Sequence, residues 1–562
     1  MRKTLISTLF VGLLLGGLAA GQAAAADAKP MATIAFSGYD NLMTDVECIG
    51  KLAGSPDLVK TLEDQLTMMT QGKGLAGLDK KRPWGLVILP TEAPMPTGYG
   101  FIPVTKLADL MAVVGTFPGM EISDAGDGVS EINGPKDNSL FIKQQGDWAY
   151  ICLNKEGFAD VAADPAKLLG DSATKYNLCV RLLFKNIPSS LREMAMGLIQ
   201  MGMAAGQNKL PGESDENFAM RMKVAQDSIK QTEKVLAELD TVMVGINIDE
   251  KTGQAHIDIE QTAIAGTDLA KQMATVVKGK TAFGGFYQAD ATLTACTLSA
   301  INKTQQEQMK NTLVMYHTML DTAIDEQELS DEEAAKAKQL MGDVMKIIED
   351  TIAMGKVDMG LALSLASAKS TLIAGGNVAD GKAVDKLVRD LAKIAAAEQP
   401  EAAKLLKLDA AEHANIKFHA VAIPLPAEIE NRDKIVGIIG EELTLTLGVG
   451  DKQVYLGIGA DALEKLKAAI DSSKAQAGAD VPPMRMSIAA KPIAKLVGDL
   501  AENFPVMIAA SAIASALEDA GSDDHITIVS EGIENGARSR ITMQKGILKV
   551  LGTLPSMAGG GM

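Results

Sequence analysis

Aromatic side chains are scarce in this chain. Phe, Tyr and Trp together make up 4% of its 562 residues, whereas 29 residues are methionine. A carbohydrate-binding platform of aromatic rings is therefore not expected, and the interior must be packed mainly by aliphatic side chains and flexible thioethers. Because 47% of the residues are hydrophobic and 22% are charged, the chain can bury more than one such core.

Cysteine is also rare, and its spacing excludes the usual cysteine chemistry. No two cysteines have the CxxC spacing of metal or redox sites. All of them lie in apolar segments where a small buried hydrophobe fits, and a chain of this size does not need disulfides. We expect free thiols, although a disulfide between the second and third cysteines stays open if their strands are neighbours. The four residues are Cys48, Cys152, Cys179 and Cys296.

Basic residues are fewer than acidic residues in this chain. Lys and Arg number 54 and Asp and Glu number 71, which gives a formal net charge of −17. Such a surface repels phosphate backbones and anionic lipids, so nucleic acid is a poor partner. After residue 26, no segment reaches the ~18 unbroken apolar residues that a membrane-spanning helix requires. We therefore expect no integral membrane segment after that point.

The N-terminal segment has the pattern of a signal peptide. The basic residues Arg2 and Lys3 precede the apolar residues 5–20, and four consecutive alanines stand directly before Asp27. This order predicts a signal peptide over residues 1–26 and a periplasmic or secreted protein. A membrane anchor is the competing interpretation, but the apolar run is short and is interrupted by glycines.

The remaining chain has the same order of elements twice. A Gly-Asp turn, at Gly146-Asp147 in the first half and at Gly450-Asp451 in the second, separates two runs of alternating hydrophobicity. A helix, a strand and a second helix follow each time. Strands joined mainly by hairpins predict an α+β fold of two tandem modules, each with a mostly antiparallel sheet covered by helices.

The same pattern gives the predicted boundaries. Module 1 covers residues 27–265, a linker covers 266–280, module 2 covers 281–552, and a flexible tail covers 553–562. Module 2 is expected to open with a strand over residues 283–298. Each module is expected to close with a β-hairpin.

Helical arms are predicted in both modules. In the second module, Ser330 and Glu333 have the spacing of a capping box, which predicts the start of a long helix. In the first module, apolar residues recur at helical spacing within residues 189–240. This stripe is most simply a core face, and a methionine-rich surface for an apolar partner is the alternative. The stripe consists of Leu191, Met194, Leu198 and Met201.

Two segments imitate nucleotide-binding loops. Residues 274–281 fit the loose phosphate-binding pattern, but they follow a predicted helix and lead into a predicted strand, which is the reverse of the required context. Residues 457–462 spell G-x-G-x-x-A after a strand. That strand is the second arm of a predicted hairpin, and the next strand carries no acidic residue for a ribose. We interpret the second segment as a tight strand-to-helix turn and expect no cofactor.

Catalytic and metal-binding patterns are missing as well. The sequence has no H-x-x-x-H and no G-x-S-x-G motif. Acidic pairs such as Asp331-Glu332 fall on predicted helices, where a cap or a solvated face explains them. No catalytic, cofactor-binding or metal-ligating residue is therefore predicted. The five scattered histidines are His256, His317, His413, His419 and His525.

These observations leave two functional hypotheses. The favoured one is an exported, non-catalytic binding or scaffold protein for an apolar ligand or a partner protein. The alternative is a secreted hydrolase whose carboxylates are dispersed in the sequence. An enzyme needs titratable side chains that converge in a cleft, whereas a scaffold does not. The convergence of such groups in the folded chain is therefore the discriminating observation.

Overall fold

A computed structural model describes residues 29–90, 97–134, 138–204, 208–209, 214–325, 327, 329–366, 369–398 and 400–559. The predicted signal peptide lies outside the described residues. The fold is mixed, with 44% helix and 30% strand, and the α+β class is confirmed. No described helix is both long enough and apolar enough to span a membrane.

The described residues divide into two units, which do not simply follow chain order. The first unit contains the residues up to Ile199, the segment Val235–Thr267 and the residues from Arg540 onward. The second unit contains Gln200–Lys234 and Asp268–Ser539. The residues from Arg540 onward therefore belong to the same compact unit as the first half of the chain.

The strands of the first half pair in the order β4–β5–β6–β7–β3–β2–β1–β8–β9–β10. Each of these pairs is antiparallel. The strands are β1 (Ala32–Phe36), β2 (Trp84–Leu89), β3 (Thr97–Pro103), β4 (Glu121–Gly126), β5 (Val129–Gly134), β6 (Asn138–Gln145), β7 (Trp148–Cys152), β8 (Leu178–Leu183), β9 (Leu239–Asp249) and β10 (Gln254–Ala263).

Helices occupy the longer connections between these strands. Two helices separate β1 from β2, and two long helices separate β8 from β9, which confirms the predicted helical arm. The helices are α1 (Tyr39–Leu52), α2 (Leu58–Met69), α3 (Leu107–Val114), α4 (Ala166–Leu169), α5 (Ser172–Lys175), α6 (Ser189–Ala204), α7 (Asp215–Glu238) and, after β10, α8 (Asp268–Met273).

The strands of the second half pair in the order β14–β15–β16–β17–β13–β12–β11–β18–β19–β20. The pairs from β14 to β19 are antiparallel, and β19 pairs with β20. The strands are β11 (Leu293–Ala300), β12 (Lys356–Ser364), β13 (Thr371–Asn377), β14 (Leu406–His413), β15 (Ile416–Pro424), β16 (Glu442–Val449), β17 (Gln453–Ile458), β18 (Met484–Ala489), β19 (His525–Ile533) and β20 (Gly536–Met543).

The helices of the second half include the predicted capping box. The Ser330 hydroxyl accepts the Glu333 N–H, and the Glu333 carboxylate accepts the Ser330 N–H at 2.8 Å, so this prediction is confirmed. The helices are α9 (Lys303–Asp325), α10 (Asp331–Ala353), α11 (Gly381–Glu398), α12 (Pro400–Ala403), α13 (Arg432–Ile439), α14 (Ala462–Ala475), α15 (Ala490–Leu500), α16 (Phe504–Glu518) and α17 (Lys545–Gly559).

The predicted strand over residues 283–298 is wrong in its first part. Gly284–Phe286 is a turn of 3₁₀ helix, and β11 begins only at Leu293. A Cβ on Gly285 would lie 2.2 Å from the carbonyl oxygen of Ala469 on α14, so this glycine permits a close helix contact that no other residue allows. The turn directs the Phe286 ring into the core, where it is fully buried.

Two further expectations are corrected, one by burial and one by secondary structure. Three of the four residues of the predicted core stripe on α6 are exposed, because Met194, Leu198 and Met201 have exposed fractions of 47%, 62% and 70%. The fourth, Leu191, is half-buried. The helix packs instead through Met196, which is buried and lies on the opposite side of the helix from Met194. The predicted tail from residue 553 is helical as far as α17 extends, and residues 560–562 lie outside the described part of the chain.

The four cysteines are free thiols, as expected. Cys152 on β7 and Cys179 on β8 are not on neighbouring strands, since β3, β2 and β1 lie between them. Both are buried in the core of the first unit, and burial raises the pKa of the Cys152 thiol to about 12. These thiols therefore act as small hydrophobic side chains.

A buried carboxyl in the first unit predicts a pH-dependent stability. Asp45 on α1 is only 7% exposed, and burial, together with repulsion from Glu250, raises its pKa to about 7. The folded protein therefore binds a proton that the unfolded chain releases near pH 4, so stability falls as the pH rises from about 4 to about 7. We expect Asp45→Asn to raise the free energy of unfolding by about 2 kcal/mol at pH 8.

The measurement is urea denaturation at pH 5 and pH 8. Tryptophan fluorescence reports this unit directly, because Trp84 and Trp148 are the only tryptophans of the chain and both lie in it. The control is Asp64→Asn on the exposed face of α2, which should behave as the wild type does. An Asp45→Asn gain of equal size at both pH values would contradict the assignment.

Candidate functional site

The candidate site is a pocket in the second unit with a volume of about 480 Å³. This size lies within the range of roughly 300–1,000 Å³ that is typical of small-molecule sites. Apolar walls carry a few polar groups, three of which are lysines. We call it the lysine-rimmed pocket, and it is lined by Leu365, Ala366, Ser370, Lys434, Gly437, Ile438, Lys491, Pro492, Lys495, Leu496, Asp499 and Leu500.

One wall of the pocket is a single face of α15. Residues four apart lie one above another on a helix, so the lining residues of α15 form two adjacent rows, one charged and one apolar. The pocket is therefore amphipathic along its length. The charged row is Lys491, Lys495 and Asp499, and the apolar row is Pro492, Leu496 and Leu500.

Asp524 fixes the start of this wall. Its side chain is buried, its backbone carbonyl accepts the Ala490 N–H at 3.0 Å, and its carboxylate accepts the Lys491 N–H at 2.9 Å. A carboxylate at a helix N-terminus satisfies free N–H groups and complements the helix dipole. The position of the first pocket lysine is thus set by hydrogen bonds at its own backbone.

The opposite wall is α13, which is tied to its surroundings at both ends. The Ser370 N–H donates to the Ile438 carbonyl at 2.8 Å, and this bond joins α13 to the loop between β12 and β13. The Lys434 ammonium donates to the Leu500 carbonyl at 3.5 Å and to the Glu502 carboxylate at 2.9 Å. Lys434 therefore links the two helical walls.

The three pocket lysines are paired with exposed glutamates. Lys434 pairs with Glu502, whereas Lys491 and Lys495 lie 3.6 Å and 3.3 Å from Glu518. The pKa of both glutamates is lowered, because each carboxylate hydrogen-bonds a lysine. Both glutamate side chains are exposed, and exposed ion pairs contribute little to stability. These partners can therefore be exchanged for a ligand without much cost to the fold.

Gly437 is an exposed lining residue of the pocket. An added Cβ at this position of α13 would meet no atom within 4 Å. The residue has an ordinary helical φ, so larger side chains can be placed there without backbone strain. The position offers a direct means of filling the cavity.

A second cluster brings titratable groups together on α11, β14 and β15. The Arg389 guanidinium donates to Asp385 at 2.9 Å and to both oxygens of Asp409 at 2.8 Å and 2.9 Å. His419 is 2% exposed; its Nδ1 accepts the Asp409 N–H at 3.1 Å, and its Nε2 lies 3.1 Å from Asp385. The neutral imidazole therefore carries its proton on Nε2, facing Asp385.

Three of these residues have the composition of a metal site. Ligand atoms of Asp385, Asp409 and His419 lie within 4.8 Å of one another. Arg389 already holds both carboxylates, and its hydrogen bonds keep the pKa of each below the usual range. A cation would have to displace both the guanidinium and the imidazole proton. The cluster is accordingly explained as an ion-pair network that ties α11 to the β14–β15 hairpin.

The two imitations of nucleotide loops have structural roles. In the G-x-G-x-x-A segment, a Cβ on Gly457 would lie 2.7 Å from the Ala462 side chain, and Gly459 has a φ of 114°. These glycines permit the tight turn from β17 into α14, so this prediction is confirmed. In the other segment, Thr281 and the Ala282 N–H both bind the buried carboxylate of Asp358.

The other histidines lie beside one or two polar groups. His413 lies 2.8 Å from Asp471 and His317 lies 3.0 Å from Asp321. The Nδ1 of His256 lies 3.0 Å from the Thr542 hydroxyl, and the Nδ1 of His525 lies 3.0 Å from both the Ser522 carbonyl and Asp524. These histidines do not belong to the group of possible metal ligands found among the described residues.

The sequence analysis missed the pocket lysines. The i, i+4 spacing of Lys491 and Lys495, on either side of Pro492, is the signal that could have found two of them. Lys434 comes from a separate helix, and its approach depends on the tertiary fold.

Comparison of the chain with protein-family models, with curated proteins and with solved structures finds no match. The functional argument therefore rests on the geometry of the pocket and on the sequence.

Proposed function

We propose that the protein is an exported, non-catalytic binding protein that holds an apolar ligand in the lysine-rimmed pocket. The observation that carries this proposal is the cavity of about 480 Å³ between α13 and α15. Leu365, Ile438 and Leu496 give it an apolar lining. Each methylene group of a ligand buried there contributes about 0.8 kcal/mol to binding.

The proposed architecture is a pair of tandem copies of one α+β module. Its support is that the ten strands described in each half pair in the same order, with β1 to β10 corresponding to β11 to β20. The Gly146 and Gly450 turns both join the corresponding hairpins β6–β7 and β16–β17. Topology is a stronger criterion than hydrophobic alternation, which unrelated strands share.

The two halves differ where the pocket lies. Residues 425–441 connect β15 to β16 and contain α13, which forms one pocket wall. The corresponding connection is only three residues long, because β5 ends at Gly134 and β6 begins at Asn138. A wall added to one of two otherwise similar modules supports a specific role for the second module.

Export is proposed on the sequence of the first 26 residues. The basic start, the apolar stretch and the alanines before Asp27 have the order that signal peptidases recognise. N-terminal sequencing of native protein should find a start close to Asp27.

Filling the pocket from Gly437 tests the proposed function. Gly437→Phe adds a bulky side chain at a lining position where a Cβ meets no atom within 4 Å, so we expect it to abolish the binding of dodecanoate and dodecan-1-ol while the protein stays folded. The matched variant Gly437→Ala should keep binding and stabilise α13 by about 0.5–1 kcal/mol, because alanine is the better helix former. Isothermal titration calorimetry measures the binding, and thermal unfolding measures the stability.

The controls separate a wrong site from a wrong function. If wild type and Gly437→Ala bind neither amphiphile, the proposed function fails. If Gly437→Phe binds as tightly as Gly437→Ala, the ligand lies elsewhere and this pocket is not the site.

A secreted hydrolase remains the alternative function. The convergence of Asp385, Asp409 and His419 from three different secondary-structure elements is the observation that favours it. Against it, Arg389 neutralises both carboxylates, and the imidazole is almost fully buried. A general base must reach its substrate. The binding function therefore has the stronger support.

A further inference from the structure

We infer that the lysine-rimmed pocket selects amphiphiles with an anionic head group over neutral or cationic ones of the same length. This inference rests on the proposed function and specifies the chemical class of its ligand. The juxtaposition that carries it is three lysines beside an apolar row within one cavity, with Asp499 as the one acidic lining residue.

The lysines come from two helices and face the same space. Lys491 and Lys495 lie one turn apart on α15, and Lys434 approaches from α13. An ammonium group is a compact charge with three donors, and it binds carboxylate, sulfate and phosphate oxygens without demanding a planar geometry. The pocket therefore recognises the negative charge of a head group rather than one particular acid.

The lysines are already paired with carboxylates, so a ligand has to take the place of a carboxylate. Three lysines and Asp499 line the pocket, and Glu502 and Glu518 pair with these lysines from outside the lining. The chain as a whole carries a net charge of −17, so its surface does not attract anions in general. An anionic head group can replace the glutamates as partner of the lysines, whereas a neutral or cationic head group cannot.

The present partners of the lysines resemble the proposed ligand. Glu502 and Glu518 are exposed carboxylates that hydrogen-bond the lysines from outside the lining. The head group of a bound amphiphile would take over these hydrogen bonds, and the released glutamates would be hydrated. The apolar row Pro492, Leu496 and Leu500 runs beside the charged row, so head and tail can be engaged together.

The test compares three amphiphiles of equal chain length below their micelle concentrations. We expect dodecanoate to bind wild-type protein about tenfold more tightly than dodecan-1-ol, since hydrogen bonds to charged groups contribute at this level. Dodecyltrimethylammonium should bind most weakly. The preference for dodecanoate should shrink as the salt concentration rises.

A matched pair of double variants assigns the preference to the pocket. Lys491→Gln with Lys495→Gln should reduce the preference for dodecanoate over dodecan-1-ol to about twofold or less. Lys465→Gln with Lys467→Gln on α14 removes the same charge away from the pocket lining. This second variant should keep the wild-type preference. Thermal unfolding checks that both variants fold.

The outcomes distinguish this inference from the proposed function. Equal binding of dodecanoate and dodecan-1-ol, or a preference that survives in the pocket variant, would overturn the inference and leave the binding function in place. No binding of any amphiphile would reject both. The last measurement uses phosphatidylglycerol vesicles. Vesicle binding without dodecanoate binding would assign the lysines to a membrane surface, and it would reject both the inference and the proposed function.

Discussion

Replacing Arg540 with leucine should destabilise the first unit by about 2–3 kcal/mol, because the substitution removes the counter-charge of the buried Asp258 carboxylate. This is less than the cost for a fully buried pair, since the arginine side chain itself is 47% exposed. The guanidinium binds both oxygens of Asp258 at 2.7 Å, and this aspartate side chain is 1% exposed. The Tyr176 hydroxyl also donates to Asp258 at 3.0 Å, and burial and this bond raise the pKa of the tyrosine. The variant leaves a carboxylate in the interior without its bidentate counter-charge.

The matched control lies two residues away on β20. Arg538 pairs with Glu531, but both side chains are about one third exposed, so Arg538→Leu should cost no more than about 1 kcal/mol. Urea denaturation followed by circular dichroism compares the two variants, and tryptophan fluorescence reports the first unit. The double variant Asp258→Leu with Arg540→Leu should be more stable than Arg540→Leu alone. Equal losses for Arg540→Leu and Arg538→Leu would contradict this account.

Replacing Phe286 with alanine should destabilise the second unit by about 3–5 kcal/mol, because the substitution leaves a cavity in the core. The ring is fully buried, lies 6.0 Å from Phe283 and stacks on Tyr455 with the ring centres 6.2 Å apart. It also occupies the space above Gly360, where a Cβ would come within 2.6 Å of the phenylalanine.

Phe504→Ala is the matched control for the aromatic substitution. The Phe504 side chain begins α16 and is 65% exposed, so its removal should change the free energy of unfolding by less than about 0.5 kcal/mol. Phe286→Leu should lower the free energy of unfolding less than Phe286→Ala does, because leucine fills part of the cavity. Circular dichroism during urea denaturation measures all three. If Phe286→Ala lowers the free energy of unfolding no more than Phe504→Ala does, the Phe286 ring does not stabilise the core.

The sequence predicted the elements with strong periodicity. The hairpins on either side of Gly146 and Gly450 and the helix capped by Ser330 all have local signals, either alternating hydrophobicity with a glycine turn or a capping box. The α+β class followed from their order. These elements are determined by neighbours in the sequence, which is why one sequence was sufficient to find them.

The strands at the sheet edges were not predicted. β4 and β14 stand at the ends of their strand orders, and most of their residues are exposed. Edge strands carry polar side chains and lack the buried alternate positions that reveal an inner strand. The Phe283 region was misjudged for the opposite reason, since its apolar residues are buried by a glycine-permitted turn and not by strand pairing.

The candidate site could be predicted only in part. Lys491 and Lys495 are separated by one helical turn, so their shared face was readable from the sequence. The pocket also requires Lys434 and Ile438 from α13, and it requires the hydrogen bond between Ser370 and Ile438 that positions this helix. These partners are brought together by tertiary packing, and no spacing rule encodes them.

The most direct test of the central claim is a crystal structure of the full chain with ω-bromododecanoate, with data collected at the bromine absorption edge. We expect an anomalous peak inside the lysine-rimmed pocket beside Leu496, with the carboxylate within hydrogen-bonding distance of Lys491 or Lys495. Bromine peaks located only outside this pocket, in crystals where the ligand is bound, would contradict the account.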